Sequence, residues 1–196
     1  MNVQRKNLSM AELILNEKPL IITIDDFMDH EDCDAIVEFT KRKLERSKVV
    51  NYGEGGGNKL DQYRTSSDHF ISETFEPNVF HRNSIAEYFE TSKNTFEKSI
   101  VIRYKEGQEY RPHFDFFNPG SKEQRRATAI CYLNDCAEGG ETIFPRLDIS
   151  YKPKKGSVLY FQYDYDTETN KKTFHGGSPV IGDNEKWILT IWMGYE

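Results

Sequence analysis

From residue 99 to the C-terminus the chain breaks into seven short runs: SIVIRYKEG, EYRPHFDFF, RATAICYLND, GGETIFPRL, GSVLYFQYD, TFHGGSPVI and KWILTIWMGYE. Each is apolar or alternating, and Gly, Pro and Asn-Asp pairs separate them. Aromatic and β-branched residues at period two, closed by turn formers, read as strands. Seven or eight such strands predict a mainly β fold, closed as a jelly roll (a double-stranded β-helix).

The first half reads differently. LIITIDDFM (20–28) is a strand running into a turn. HEDCDAIVEFTKRKLERS places Cys33, Ile36, Val37 and Leu44 near helical spacing, with acids early and bases late, as a helix dipole favours. A second helix is expected over 80–98 through Ile85, Tyr88 and Phe89. Between them lie four glycines in positions 53–57. They predict a mobile loop; a phosphate cradle would need a following GK[ST], which is missing. The organisation expected is an N-terminal extension (1–18) and a single domain (19–196), with helical support over 19–98 and the jelly-roll core over 99–196. A chain of 196 residues can bury such a core.

The formal net charge of -6 argues against a nucleic-acid backbone as the main partner. No apolar run approaches the roughly 20 residues of a membrane span, and MNVQRKNLSMAELILNEKP lacks the pattern of a secretory signal. Cys33, Cys131 and Cys136 form no CxxC pair. They read as reduced thiols in a cytoplasmic setting, Cys33 and Cys131 as small buried hydrophobes.

The run YRPHFDFFNPG (110–120) sets His113 and Asp115 two positions apart, on one face if the strand continues and with Phe114 on the other. His175 ends an apolar strand in TFHGGSPV, before two glycines that allow backbone to approach. Of the remaining histidines, His30 and His81 read as surface residues, and His69 has no partner spacing of its own. Two imidazoles and one carboxylate suit a divalent iron held on one face and open on the other. A structural zinc would want four protein ligands, preferably with sulfur; a catalytic zinc with an open position stays open as an alternative. Lys186, eleven residues past His175 beside the apolar Trp187, Ile188 and Leu189, is either a surface snorkeler or a point charge for a carboxylate.

These residues stand in an ordered set: RSKVV (46–50), YRTSSDHF (63–70), VIRYKEGQEYRPHFDFF (101–117), CYLNDCAEGGETIFPRL (131–147), KKGSVLYF (154–161) and HGGSPV with KWILTIW (175–192). The set resembles the prolyl 4-hydroxylases, a branch of the iron(II)- and 2-oxoglutarate-dependent dioxygenases, in their short microbial and viral form. The resemblance implies His113, Asp115 and His175 as catalytic iron ligands. It implies Lys186 as the anchor of the distal carboxylate of 2-oxoglutarate, with Tyr104, Thr142 and Tyr132 beside it. Arg64 and Trp192 match positions near the peptide groove; a loop salt bridge and a core aromatic are their structural alternatives. The implied reaction consumes O2 and 2-oxoglutarate, releases succinate and CO2, and hydroxylates a prolyl residue of a peptide or protein, with ascorbate as reductant. Another residue or a small molecule as substrate, and a non-catalytic jelly-roll binding module, stay open. So does the fate of the apolar C-terminal strand, which either buries itself or pairs with a second subunit in a homodimer.

Overall fold

The computed structural model describes residues 11–50, 58–117 and 124–195. The glycine run at 53–57 lies outside them, as do the first ten residues. Fourteen strands are described: β1 (Glu12–Glu17), β2 (Leu20–Ile24), β3 (Glu45–Arg46), β4 (Val49–Val50), β5 (Asn58–Lys59), β6 (Ser67–Phe70), β7 (Ile100–Tyr104), β8 (Tyr110–His113), β9 (Arg125–Tyr132), β10 (Thr142–Phe144), β11 (Ile149–Tyr151), β12 (Val158–Gln162), β13 (His175–Gly177) and β14 (Lys186–Gly194). They form an eight-stranded sheet in the order β1-β2-β12-β9-β14-β7-β6-β3, a four-stranded sheet β11-β10-β13-β8, and the small β4-β5 ladder. The two larger sheets face each other as the jelly roll.

Alternation along β14 shows how the sequence sorts its two faces. Trp187, Leu189, Ile191 and Met193 join the core under the helices, with Cys33, Ile36 and Ile85. Lys186, Ile188, Thr190 and Trp192 face the space between the sheets. The strand pairs with β7 on one side and β9 on the other, so it buries itself within this chain.

Three local readings are corrected. Helix α1 runs His30–Thr40, so the basic residues of KRKLER fall past its end rather than in its last turn. Helix α2 runs Glu76–Tyr88, earlier than expected, because Pro77 occupies the first turn, where its fixed φ and missing N–H cost nothing. The segment 19–98 is more than helical support: β2, β3 and β6 lie in the large sheet, and β1, within the expected extension, is its edge strand. A short helix α3, Thr167–Lys171, capped by Asp166, precedes β13.

His81, read as a surface residue, is fully buried in α2. Its Nε2 lies 2.8 Å from Asp32 Oδ2 on α1. The carboxylate arrives from 49 residues away and makes burial of the imidazole tolerable. Asp32→Ala is expected to lower stability by about 1–3 kcal/mol, since it removes a carboxylate hydrogen bond from a buried polar ring. A urea midpoint unchanged from the parent would contradict this.

Candidate active site

The space between the sheets is a cavity of about 670 Å³. Its size suits a small ligand with part of a larger one. His113 and His175 are direct partners across the antiparallel β8–β13 pair, with ring centroids 4.5 Å apart. That pairing needs Gly176, where a Cβ would meet Tyr110 O at 2.8 Å and Pro112 N at 2.9 Å. Asp115 arrives differently from the sequence reading: β8 stops at His113, and Asp115 sits in the bend that follows. Phe114 also lines the cavity rather than facing away, since strand alternation ends with the strand.

The three donors converge nonetheless. One ligand atom from each of His113, Asp115 and His175 lies within 4.8 Å of the others. His113 Nε2 is 3.3 Å from Asp115 Oδ1, and His175 Nε2 is 3.7 Å from Asp115 Oδ2. His113 Nδ1 lies 2.9 Å from Arg111 O and His175 Nδ1 2.9 Å from Thr173 O. A carbonyl only accepts, so each Nδ1 carries the proton and each Nε2 lone pair is turned to the common point. Burial is the largest influence on His175 and lowers it to about 4 against the pull of Asp115, so the ring is neutral at neutral pH. Burial would raise Asp115, but the imidazoles and the Arg125 guanidinium hold it well below the usual carboxylate range. Two imidazole nitrogens and one carboxylate oxygen are the donor set that fits a divalent iron with open positions.

A cation shares the cavity. Lys186 is 2% exposed, opposite Tyr104 in the β14–β7 pair. Its Nζ sits 5.5 Å from the Tyr104 ring centroid and 5.7 Å from that of Tyr132. It donates to Thr142 Oγ1 at 3.4 Å, and Tyr132 OH donates to the same oxygen at 2.7 Å. Thr142 thus accepts twice, and its own proton is left for a ligand. Tyr104 and Thr142 line the cavity; Tyr132, fully buried, supports Thr142 from behind. A methyl group added at Gly177 would sit 3.5 Å from Lys186 Nζ. Gly177 is two residues from His175 on β13, so the ammonium reaches the cavity beside the strand that carries one of the imidazoles.

Arg64 and Trp192 both line the cavity. Arg64 pairs with Asp68 at 3.0 Å and lies over the Tyr110 ring at 5.2 Å. Trp192 Nε1 donates to Asp115 Oδ2 at 2.8 Å. His69 is half-buried on β6 and is not among the cavity-lining residues. Sequence reasoning missed Arg125, which forks onto Glu97 at 2.5 and 2.7 Å and stacks between Phe117 and Trp192. It also missed Thr128; the available signal was a threonine in phase with Ile130 and Tyr132 along β9.

A jelly roll that turns two imidazoles and one carboxylate toward an open cavity, with a buried ammonium in reach, defines the class of non-haem iron(II) oxygenases. Comparison with known proteins agrees. Residues 99–194 match the 2OG-Fe(II) oxygenase superfamily. Prolyl 4-hydroxylase 2 of Arabidopsis thaliana is 31% identical over 91% of this chain and 68% of its own length. Prolyl 4-hydroxylase 1 of the same plant is 34% identical over 92% and 70%. Among solved structures, the 2OG complex of the viral collagen prolyl hydroxylase vCPH from Paramecium Bursaria Chlorella virus-1 superposes with a TM-score of 0.71. It shares 30% identity, over 90% of this chain and 96% of that one. The chain belongs to the prolyl 4-hydroxylase family of the 2OG-Fe(II) oxygenases. Membership implies an enzyme that uses iron(II), 2-oxoglutarate and O2. Among the described residues no helix is long and apolar enough to cross a membrane.

Proposed function

We propose that this protein hydroxylates prolyl residues of a peptide or protein at C4, consuming O2 and 2-oxoglutarate and releasing succinate and CO2. The observation that carries the reading is the shared cavity, with the two-His, one-carboxylate set at one point and a buried ammonium lining the same space. His113, Asp115 and His175 would hold the iron. When bound, the metal and 2-oxoglutarate together supply the activation of dioxygen, one atom of which enters the substrate and the other succinate. The chain's own residues do the rest. Lys186 and Thr142 bind and orient the distal carboxylate, Tyr104 walls it from water, and Tyr132 fixes the Thr142 hydroxyl. Tyr110, stacked on His113 at 3.6 Å, joins Arg64 and Trp192 in lining the mouth where a peptide would lie. The three buried, unpaired cysteines support a reducing, cytoplasmic setting. Ascorbate is the reductant proposed.

The test is incubation of a proline-containing peptide library with iron(II), 2-oxoglutarate, ascorbate and air. A sixteen-dalton gain on proline, matched mole for mole by succinate, is expected. Succinate release with the gain on another residue would replace the substrate assignment and keep the chemistry.

The ammonium gives the reaction a pH signature. Burial lowers Lys186 to about 8, against the attraction of Cys136 and Glu141. Above pH 8 the free protein loses the charge that meets the carboxylate, so 2-oxoglutarate affinity is expected to fall up to tenfold per pH unit, with proton uptake on binding. Calorimetry in two buffers of different ionisation enthalpy reads the uptake, and a pH-independent affinity between 7 and 9.5 would refute it. Stability without co-substrate moves the other way. Between about 8 and the ordinary lysine value near ~10.4 the unfolded chain holds the extra proton, so stability rises with pH through that window.

A further inference from the structure

Asp115 is gripped by one oxygen. Its Oδ2 accepts the Thr128 hydroxyl at 2.8 Å and the Trp192 indole N–H at 2.8 Å, which fills both lone-pair directions of that atom. The other oxygen, Oδ1, takes neither of these bonds and faces His113 Nε2 at 3.3 Å, while His175 Nε2 lies 3.7 Å from Oδ2. Behind Thr128 stands a second hydroxyl, Tyr163 OH, 2.5 Å from Thr128 Oγ1. Thr128 is fully buried and Tyr163 nearly so.

Counting protons sets the direction of this chain. A threonine hydroxyl has one proton and a carboxylate can only accept, so Thr128 gives its proton to Asp115. The remaining bond must then run from the Tyr163 phenol to the Thr128 oxygen. Thr128 lies on β9 and Tyr163 just past the end of β12, strands paired in the large sheet, whereas Asp115 lies in an irregular bend. Two hydroxyls anchored on paired strands therefore hold the carboxylate, while Arg125 Nη1 holds the Asp115 carbonyl of the bend at 3.0 Å.

We propose that Thr128 and Tyr163 are positioning residues for the metal. The relay from Tyr163 through Thr128 engages Oδ2 with the protein and fixes the carboxylate plane, leaving Oδ1 as the oxygen free of the Thr128 and Trp192 hydrogen bonds. The proposal rests on the reading of His113, Asp115 and His175 as the metal site. Outer hydrogen-bond partners of metal ligands are worth on the order of 10–100-fold in affinity.

Co(II) titrated into the metal-free protein, followed by its visible absorption, tests this without turnover. Thr128→Val, which removes the hydroxyl at constant shape, is expected to weaken Co(II) binding about tenfold and alter the absorption bands. Thr128→Ser, which restores a hydroxyl, returns both toward the parent. Tyr163→Phe gives a smaller loss, on the order of two- to fivefold. A Thr128→Val affinity within threefold of the parent overturns the proposal, as does a serine variant no better than the valine one. If Thr128→Val does not fold, Tyr163→Phe decides, and an affinity equal to the parent overturns it. The His175→Ala control separates the two levels. A parent that binds no Co(II), or a control that binds as tightly as the parent, removes the metal site itself and the relay with it. A control that fails to bind beside an unaffected Thr128→Val removes the relay alone.

Discussion

Lys186→Ala raises the 2-oxoglutarate concentration for half-maximal turnover by about a hundredfold or more and leaves metal affinity within about twofold of the parent. The ammonium is buried in the cavity wall, hydrogen-bonded to Thr142 and flanked by Tyr104. Truncating one partner of a buried charged pair costs roughly 2–5 kcal/mol, and each 1.4 kcal/mol is tenfold. The loss is one of co-substrate binding, so rate recovers in part when 2-oxoglutarate is supplied in large excess. The fold does not suffer with it. Burial opposes the charge in the free protein, so Lys186→Met, which keeps the volume, is expected to raise the melting temperature without co-substrate. Equal co-substrate affinity in parent and Ala variant, measured by titration, would remove Lys186 from the site.

Asp115→Asn abolishes turnover by emptying the metal site. The amide keeps the shape of the carboxylate and an oxygen for Thr128 and Trp192 but loses the negative charge that would complement a dication beside two imidazoles. Iron affinity is expected to fall by more than the roughly 10–100-fold that outer hydrogen-bond changes cost. Anaerobic titration of iron(II) into metal-free protein measures it. An Asn variant that fills stoichiometrically at micromolar iron would show that the carboxylate is not a ligand.

Much of this was legible in the sequence because it depends on short-range pattern. Turn formers between apolar runs announced the strands, and β14 sorted its faces by alternation as written. The two glycines after His175 signalled the close approach of β13 to β8. What escaped notice depends on partners distant in the chain. His81 looks polar and exposed until Asp32 is seen across the helix pair. The charged stretch ELILNE reads as a tail, yet pairs as β1 at the sheet edge, where Leu13 and Ile14 stay exposed. Thr128 offers no chemistry by itself, and gains it only because a bend delivers Asp115 to its hydroxyl.

The spacing along β13 also bears on which organic acids the enzyme accepts. His175 and the backbone beside Lys186 are one strand repeat apart, tied through main-chain ladders to β8 and β10. The two ends of a dicarboxylate would therefore be gauged between the His175 imidazole and a Lys186 ammonium fixed by Thr142, Tyr104 and Tyr132. A keto acid of another length is expected to meet this held ammonium less well, whatever residues form the peptide-facing rim.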